Sequence, residues 1–125
     1  MGFTLKDVYK RQMHISMSFL SPGDAVLVPD PGYPSYSASA RLAGAEVMYF
    51  PLKAENHFLP DLEELSNQDL SRVKLMWINY PNMPTGGNAD LAFFKNLVVF
   101  AKKHKILICH DNPYTFILNP DPVNI

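Results

Sequence analysis

Four short apolar runs alternate with stretches that read as helix, and that order confines the chain to an α/β layer architecture with a mostly parallel sheet and flanking helices. The runs are Ala25-Val26-Leu27-Val28, Glu46 to Phe50, Lys74 to Asn79 (centred on Leu75-Met76-Trp77-Ile78) and Ile106-Leu107-Ile108-Cys109. A continuous apolar run bounded by turn residues suits a strand buried on both faces. Met13 to Leu20 suits a short helix, followed by the turn cluster Ser21-Pro22-Gly23-Asp24. Pro34 fits the first turn of a second helix, in which Tyr36, Ala40 and Ala43 form one stripe and Gly44 can close the end in a left-handed cap. Asp61 followed by Glu64 resembles a capping box. The clearest helix runs from about Asn88 to Lys105. At about 100° per residue, Leu91, Phe93, Phe94, Leu97, Val98, Phe100 and Ala101 fall on one half, and Val99 is the misfit.

A chain of 125 residues is long enough for one domain with its own core. A net charge of −1 argues against the basic stripe that nucleic-acid binding requires. The longest apolar runs are too short to span a bilayer, and the N-terminus lacks a signal-peptide layout. The single cysteine, Cys109, excludes an internal disulfide, fits a reducing cytoplasm and reads as a small hydrophobe in a strand. His14, His57, His104 and His110 show no ligand spacing, so no metal is assigned. Residues 1–12 do not match the rest: Leu5 to Gln12 is polar without clear periodicity and resembles a translated sequencing-adapter scar. That segment is set apart, leaving residues 13–125 as the domain.

In open α/β sheets ligands bind outside the carboxyl ends of the strands. Three loops leave such ends: Pro29 to Tyr33, Tyr80 to Gly87, and His110 to Tyr114. Asp111, after an apolar strand, could hold a heterocyclic nitrogen in its protonated form, or it could simply cap the turn. Tyr114 could donate a hydrogen bond to a ring oxygen, or pack at the rim. Tyr33, presented by Asp30-Pro31-Gly32, could stack on a planar ring, or staple the following helix to the sheet. Two prolines and a Thr-Gly-Gly turn fix Asn79-Tyr80-Pro81-Asn82-Met83-Pro84-Thr85-Gly86, so Asn82 or Asn79 could be held for a polar contact.

Taken together, Val28 to Pro34, the Asn-Tyr-Pro-Asn-Met-Pro-Thr-Gly segment and Asp111-Asn112-Pro113-Tyr114 resemble the class I/II aminotransferases of pyridoxal-phosphate fold type I, in order and spacing. Within that family the chain looks most like the LL-diaminopimelate aminotransferase group. The resemblance covers Met13 to about Asn119 and implies an internal piece of the family's large, cofactor-binding domain. It implies pyridoxal 5′-phosphate as cofactor, amino acids and 2-oxo acids as substrates, a homodimeric parent and a cytoplasmic location. By the same resemblance, Tyr33 would stack on the pyridine ring, Asp111 would pair with the ring nitrogen and Tyr114 would bond the phenolic oxygen. The family usually places an asparagine immediately before Pro-Thr-Gly; here that position is Met83, whose thioether cannot donate, so either neighbouring Asn82 substitutes for it or the contact is missing.

The resemblance also sets expectations about what the chain lacks. The family's phosphate loop belongs just before Met13, where residues 1–12 stand, and its Schiff-base lysine belongs well after Asp111. None of the eight lysines has the family's Ser-x-Ser-Lys setting, so the chain alone is expected to be inactive, with an unpaired sheet edge that favours self-association. Arg41 and Arg72 read as surface charges rather than as the family's carboxylate clamp. Three other readings remain: a lyase or decarboxylase of the same fold type, a non-catalytic cofactor-binding regulatory domain, and an unrelated nucleotide-binding module. The absence of a G-x-G-x-x-G or phosphate-loop motif after any strand counts against the last.

Overall fold

The structure, a computed structural model, describes the backbone of residues 5–114 and the side chains of residues 11–114. Four strands form one parallel sheet in the order β2-β1-β3-β4: β1 is Ala25–Asp30, β2 Glu46–Pro51, β3 Val73–Asn79 and β4 Leu107–Asp111. Because all four run the same way, their carboxyl ends lie along one rim. The chain moves outward from β1 to β2, then returns past β1 to place β3 on its other side. The strand order therefore reverses between β1 and β3, the crevice where such sheets accept ligands.

Alternation along the strands divides the core in two. Ala25 and Leu27 of β1 and Met76 and Ile78 of β3 face a layer containing Leu65, Phe93, Phe94, Leu97 and Phe100. Val26 and Val28 of β1 and Leu75 and Trp77 of β3 face the opposite layer, with Leu20, Tyr36 and Ala40. The first layer is capped by α3 (Leu62–Ser66) and α4 (Leu91–His104), the second by α1 (Leu5–Phe19) and α2 (Pro34–Leu42). The α/β expectation is met, with every strand pair parallel.

Local chemistry sets the ends of the helices. Asp61 opens α3 by accepting from Glu63 N–H and Glu64 N–H, and Asp90 opens α4 by accepting from Phe93 N–H at 2.7 Å. The α4 start therefore falls after Asp90 rather than near Asn88. Its buried stripe is Phe93, Phe94, Leu97, Phe100 and Ala101; Val99 is exposed as expected, but Leu91 is also exposed, at 54%. Leu91 lies about 120° around the helix from the centre of that stripe, too far to reach the sheet. Gly44 has a φ of +78°, the left-handed close expected of it.

The expected helix over Met13 to Leu20 starts instead at Leu5. No glycine or proline interrupts residues 5–19, and Leu, Lys, Arg and Gln favour helix, so propensity carries α1 upstream without a hydrophobic repeat. The boundary drawn after Gln12 thus falls inside α1. The fourth strand continues past Cys109 to Asp111, because Ile78 and Asn79 of β3 offer it pairing partners there. A short 3-10 turn at Ala54–Asn56 carries no sequence periodicity and was not expected. Arg41 and Arg72 are surface residues as read; Arg72 pairs with Glu46 and Arg41 donates to the Tyr49 hydroxyl. The Asn119-Pro120-Asp121-Pro122 stretch lies outside the described residues.

Candidate functional site

Asp111 ends β4 directly beside Asn79, the last residue of β3. Asn79 ties the rim together: its Nδ2 donates to the Asp111 carbonyl at 2.8 Å, and its Oδ1 accepts from Met83 N–H at 2.8 Å. The Asp111 carboxylate takes two further donors on one oxygen. Its Oδ2 accepts from the Tyr36 hydroxyl at 2.9 Å and from Gln12 Nε2 at 2.6 Å. An ionised carboxylate gains from donors of this kind about twice what a neutral acceptor would.

Tyr36 is the hub of the rim. It is 1% exposed, stacks on Trp77 with ring centroids 4.9 Å apart and planes 11° from parallel, and meets the edge of Tyr33 at 5.9 Å. Burial, then the charge and hydrogen bond of Asp111, then Tyr33 and Tyr114, push its phenol above the ordinary tyrosine range. Tyr36 therefore stays protonated and acts as a fixed donor to Asp111. His110 packs against Phe94 at 5.2 Å, and its Nε2 lies 3.0 Å from the Tyr80 carbonyl. Burial lowers its pKa below 6.5, against a partial pull upward from that carbonyl and from Asp111, so at neutral pH the imidazole is uncharged. The neighbouring Cys109 thiol is pushed up to about 11 by burial, which leaves it protonated and unreactive, in keeping with its reading as a small packed hydrophobe.

A cleft of about 360 Å³ opens beside this cluster, lined by Arg11, Gln12, Ile15, Trp77, His110, Asp111, Asn112 and Pro113. Its size falls in the range that small molecules use, about 300–1,000 Å³. One wall carries an unsatisfied group: the buried Trp77 Nε1 has no hydrogen-bond partner among the described residues. Leaving such a donor unpaired costs about 1–3 kcal/mol, a feature that functional sites tolerate more often than cores do.

The residues singled out from the sequence end up in different positions. Asp111 lines the 360 Å³ cleft. Tyr33 lines a neighbouring cleft of about 320 Å³ with Val28, Pro29, Asp30, Gly32, Pro34, Ser37 and Tyr49. Tyr114, 37% exposed, lines neither, though it lies near enough to act on the Tyr36 phenol. Tyr36 is thus the common neighbour of all three, in place of one shared cleft. Asn82 is not part of this group. It is 2% exposed, and its side chain is engaged inside its own loop: Nδ2 donates to the Asn79 carbonyl at 3.2 Å and Oδ1 accepts from the Thr85 hydroxyl at 2.6 Å. Asn79, the alternative asparagine, is the one bonded to Asp111.

Sequence reasoning missed Tyr36 and Gln12. Tyr36 was read as part of an apolar stripe; its spacing of three from Tyr33 on a helix, and the need of a buried phenol for a partner, were the available signals. Gln12 gave no signal, because its segment lacked periodicity.

The loop that presents Tyr33 depends on Gly32. A Cβ there would stand 2.3 Å from the Pro29 carbonyl oxygen and 3.0 Å from Pro29 Cγ. Gly32→Ala is expected to destabilise the chain by about 1–3 kcal/mol, as overpacking does. Urea unfolding checks this; an unchanged midpoint would mean that the loop adapts freely.

The family model for aminotransferase class I and II matches residues 11–122. The chain belongs to that family. The match begins inside α1, at the residue before Gln12. An LL-diaminopimelate aminotransferase from Dehalococcoides mccartyi is 55% identical over 104 residues, covering 83% of this chain and 27% of that relative. The apo structure of BacF from Bacillus subtilis superposes with a TM-score of 0.80 at 42% identity, covering 86% of this chain and 28% of the other. An aminotransferase from Escherichia coli superposes with a TM-score of 0.86 at 27% identity, covering 92% and 28%. The chain thus spans about a quarter of the length of the relatives it matches.

Class I and II aminotransferases are pyridoxal-phosphate dependent. The residues of the aminotransferase rim fit such a group by their chemistry. An acceptor carboxylate stands on the wall of a cleft of suitable volume, its Oδ2 held by two donors. A protonated ring nitrogen requires that kind of acceptor.

Proposed function

We propose that the complete protein is an aminotransferase that moves an amino group between an amino acid and a 2-oxo acid, and that this chain supplies the ring-nitrogen side of its cofactor site. The observation that carries the reading is the Asp111 carboxylate at the end of β4, fixed by Tyr36 and facing a cleft on the carboxyl rim of the sheet. When bound, pyridoxal phosphate supplies an electron sink that is strongest with its ring nitrogen protonated. In this reading Asp111 holds the proton on that nitrogen, and Tyr36 keeps the carboxylate oriented. The family resemblance assigns Tyr33 to cover the ring and Tyr114 to donate to the phenolic oxygen; Tyr33 lines the neighbouring cleft and Tyr114 lines neither, so both roles require these side chains to turn toward the Asp111 cleft when the ring is bound. Asn82 serves the site by shaping the loop after β3, in which Asn79 and Met83 are already bonded.

The named relatives support LL-diaminopimelate as the amino donor, with a 2-oxo acid as acceptor. A homodimer in the cytoplasm is the assembly and location proposed for the complete protein. Among the described residues, no helix is long and apolar enough to cross a membrane.

The test is a product assay of the complete protein with LL-diaminopimelate and 2-oxoglutarate. Glutamate formed in step with donor consumption is the expected result. Release of carbon dioxide or ammonia without glutamate would replace this reading with a decarboxylase or lyase.

A further inference from the structure

We infer that Gln12 is a positioning residue for Asp111: its side-chain amide bridges α2 to the end of β4 and fixes the carboxylate that faces the cleft. The inference rests on the cofactor reading above and on residue 12 belonging to the domain rather than to the stretch set apart from the sequence; α1 and the family match both include it. Gln12 is 3% exposed although it lies in the most polar segment of the chain. Burying a primary amide is costly unless both of its ends are bonded, and here both are. Nε2 donates to Asp111 Oδ2 at 2.6 Å, and Oε1 accepts from the Ser35 hydroxyl. The orientation of the amide follows from its partners. An ionised carboxylate only accepts, so Nε2 must face Asp111, and the serine hydroxyl can then donate to Oε1.

A second polar contact holds this bridge in register. One turn further along both helices, Ser16 Oγ of α1 meets Ser39 Oγ of α2 at 2.9 Å, also buried. Gln12 and Ser16 stand four apart on one helix, and Ser35 and Ser39 four apart on the other, so each pair lies along one helix face. The two contacts form a short ladder between α1 and α2 that sets how the helices pack and therefore where the Gln12 amide points. Gln12 and Tyr36 both donate to Oδ2, from separate helices. Two donors on one oxygen restrain the carboxylate against rotation.

The experiment uses the complete protein freed of its cofactor and 4-deoxypyridoxine 5′-phosphate, which has the cofactor's ring, phenol and phosphate but no aldehyde for lysines to capture. Binding and the ultraviolet spectrum of the bound ring, which reports the protonation of its nitrogen, are measured at neutral pH. The proteins compared are the unaltered protein, Gln12→Met, Asp111→Asn and the double variant, each checked for folding by circular dichroism. Gln12→Met retains length and helix propensity but removes both hydrogen bonds. It is expected to weaken binding about tenfold, the loss of one good hydrogen bond to a charged group, and to lower the protonated fraction of the bound ring. In the Asp111→Asn background the same change should have no further effect on the ring's protonation. A folded Gln12→Met that binds the probe with unchanged affinity and spectrum would overturn the inference while leaving the cofactor reading in place. Failure of the folded, unaltered complete protein to bind the probe would overturn the cofactor reading, and the inference with it.

Discussion

Asp111→Asn in the complete enzyme is expected to lower kcat/KM for amino transfer by about a thousandfold, roughly 4 kcal/mol of transition-state stabilisation. The substitution keeps the shape of the side chain. Its amide oxygen can still accept from the Tyr36 hydroxyl, and the backbone carbonyl of residue 111 still accepts from Asn79 Nδ2. What it removes is charge. A neutral amide cannot hold a proton on a ring nitrogen against neutral solvent, so the cofactor loses most of its capacity to take up electrons. Binding should fall much less than turnover, because the ring and its phosphate keep their other contacts. The check is steady-state kinetics beside the absorption spectrum of the bound cofactor. A variant within tenfold of the unaltered enzyme would mean that this carboxylate does not face the ring, and the proposed role would be withdrawn.

Phe94→Ala is expected to destabilise the chain by about 3–5 kcal/mol, the usual cost of emptying an aromatic site in a packed core. Phe94 is 1% exposed and meets three rings: Tyr80 at 6.5 Å, Phe93 at 5.6 Å and His110 at 5.2 Å. Two of these neighbours flank the site, since Tyr80 begins the loop after β3 and His110 precedes Asp111. Total stabilities of domains this size are about 5–15 kcal/mol, so the variant is expected to lie close to unfolding. Val99→Ala, on the same helix at 67% exposure, should change stability by less than about 0.5 kcal/mol. Urea unfolding followed by circular dichroism measures both. Equal effects from the two would show that α4 is not docked through the stripe that contains Phe94.

The legibility of the chain followed the kind of force involved. Strand β1 and the core of β3 could be read because continuous apolar runs have few other uses, and α4 because its stripe repeats at helical period. Leu91 was misplaced because periodicity marks half of a helix, whereas contact with the sheet uses a narrower arc. The start of α1 was misjudged because hydrophobic pattern was the guide, and here helix propensity carried the backbone instead. At the site, Asp111 was picked out by its position after a strand and by its place in the Asp-Asn-Pro-Tyr motif. Asn82 was chosen as the nearest amide to Met83, but sequence proximity does not say whether a side chain points out of a loop or braces it.

The sequence by itself determined the alternation of strands and helices, the two-sided burial of the central strands and the family, because these depend on local pattern and on short motifs in order. Only the tertiary structure decided that Gln12, Tyr36 and Asp111, up to 99 positions apart, share one carboxylate oxygen, and that Tyr33 faces a neighbouring cleft. Contacts of that kind depend on how α1 and α2 pack against the sheet and on which rim the parallel strands share, and no local pattern records either.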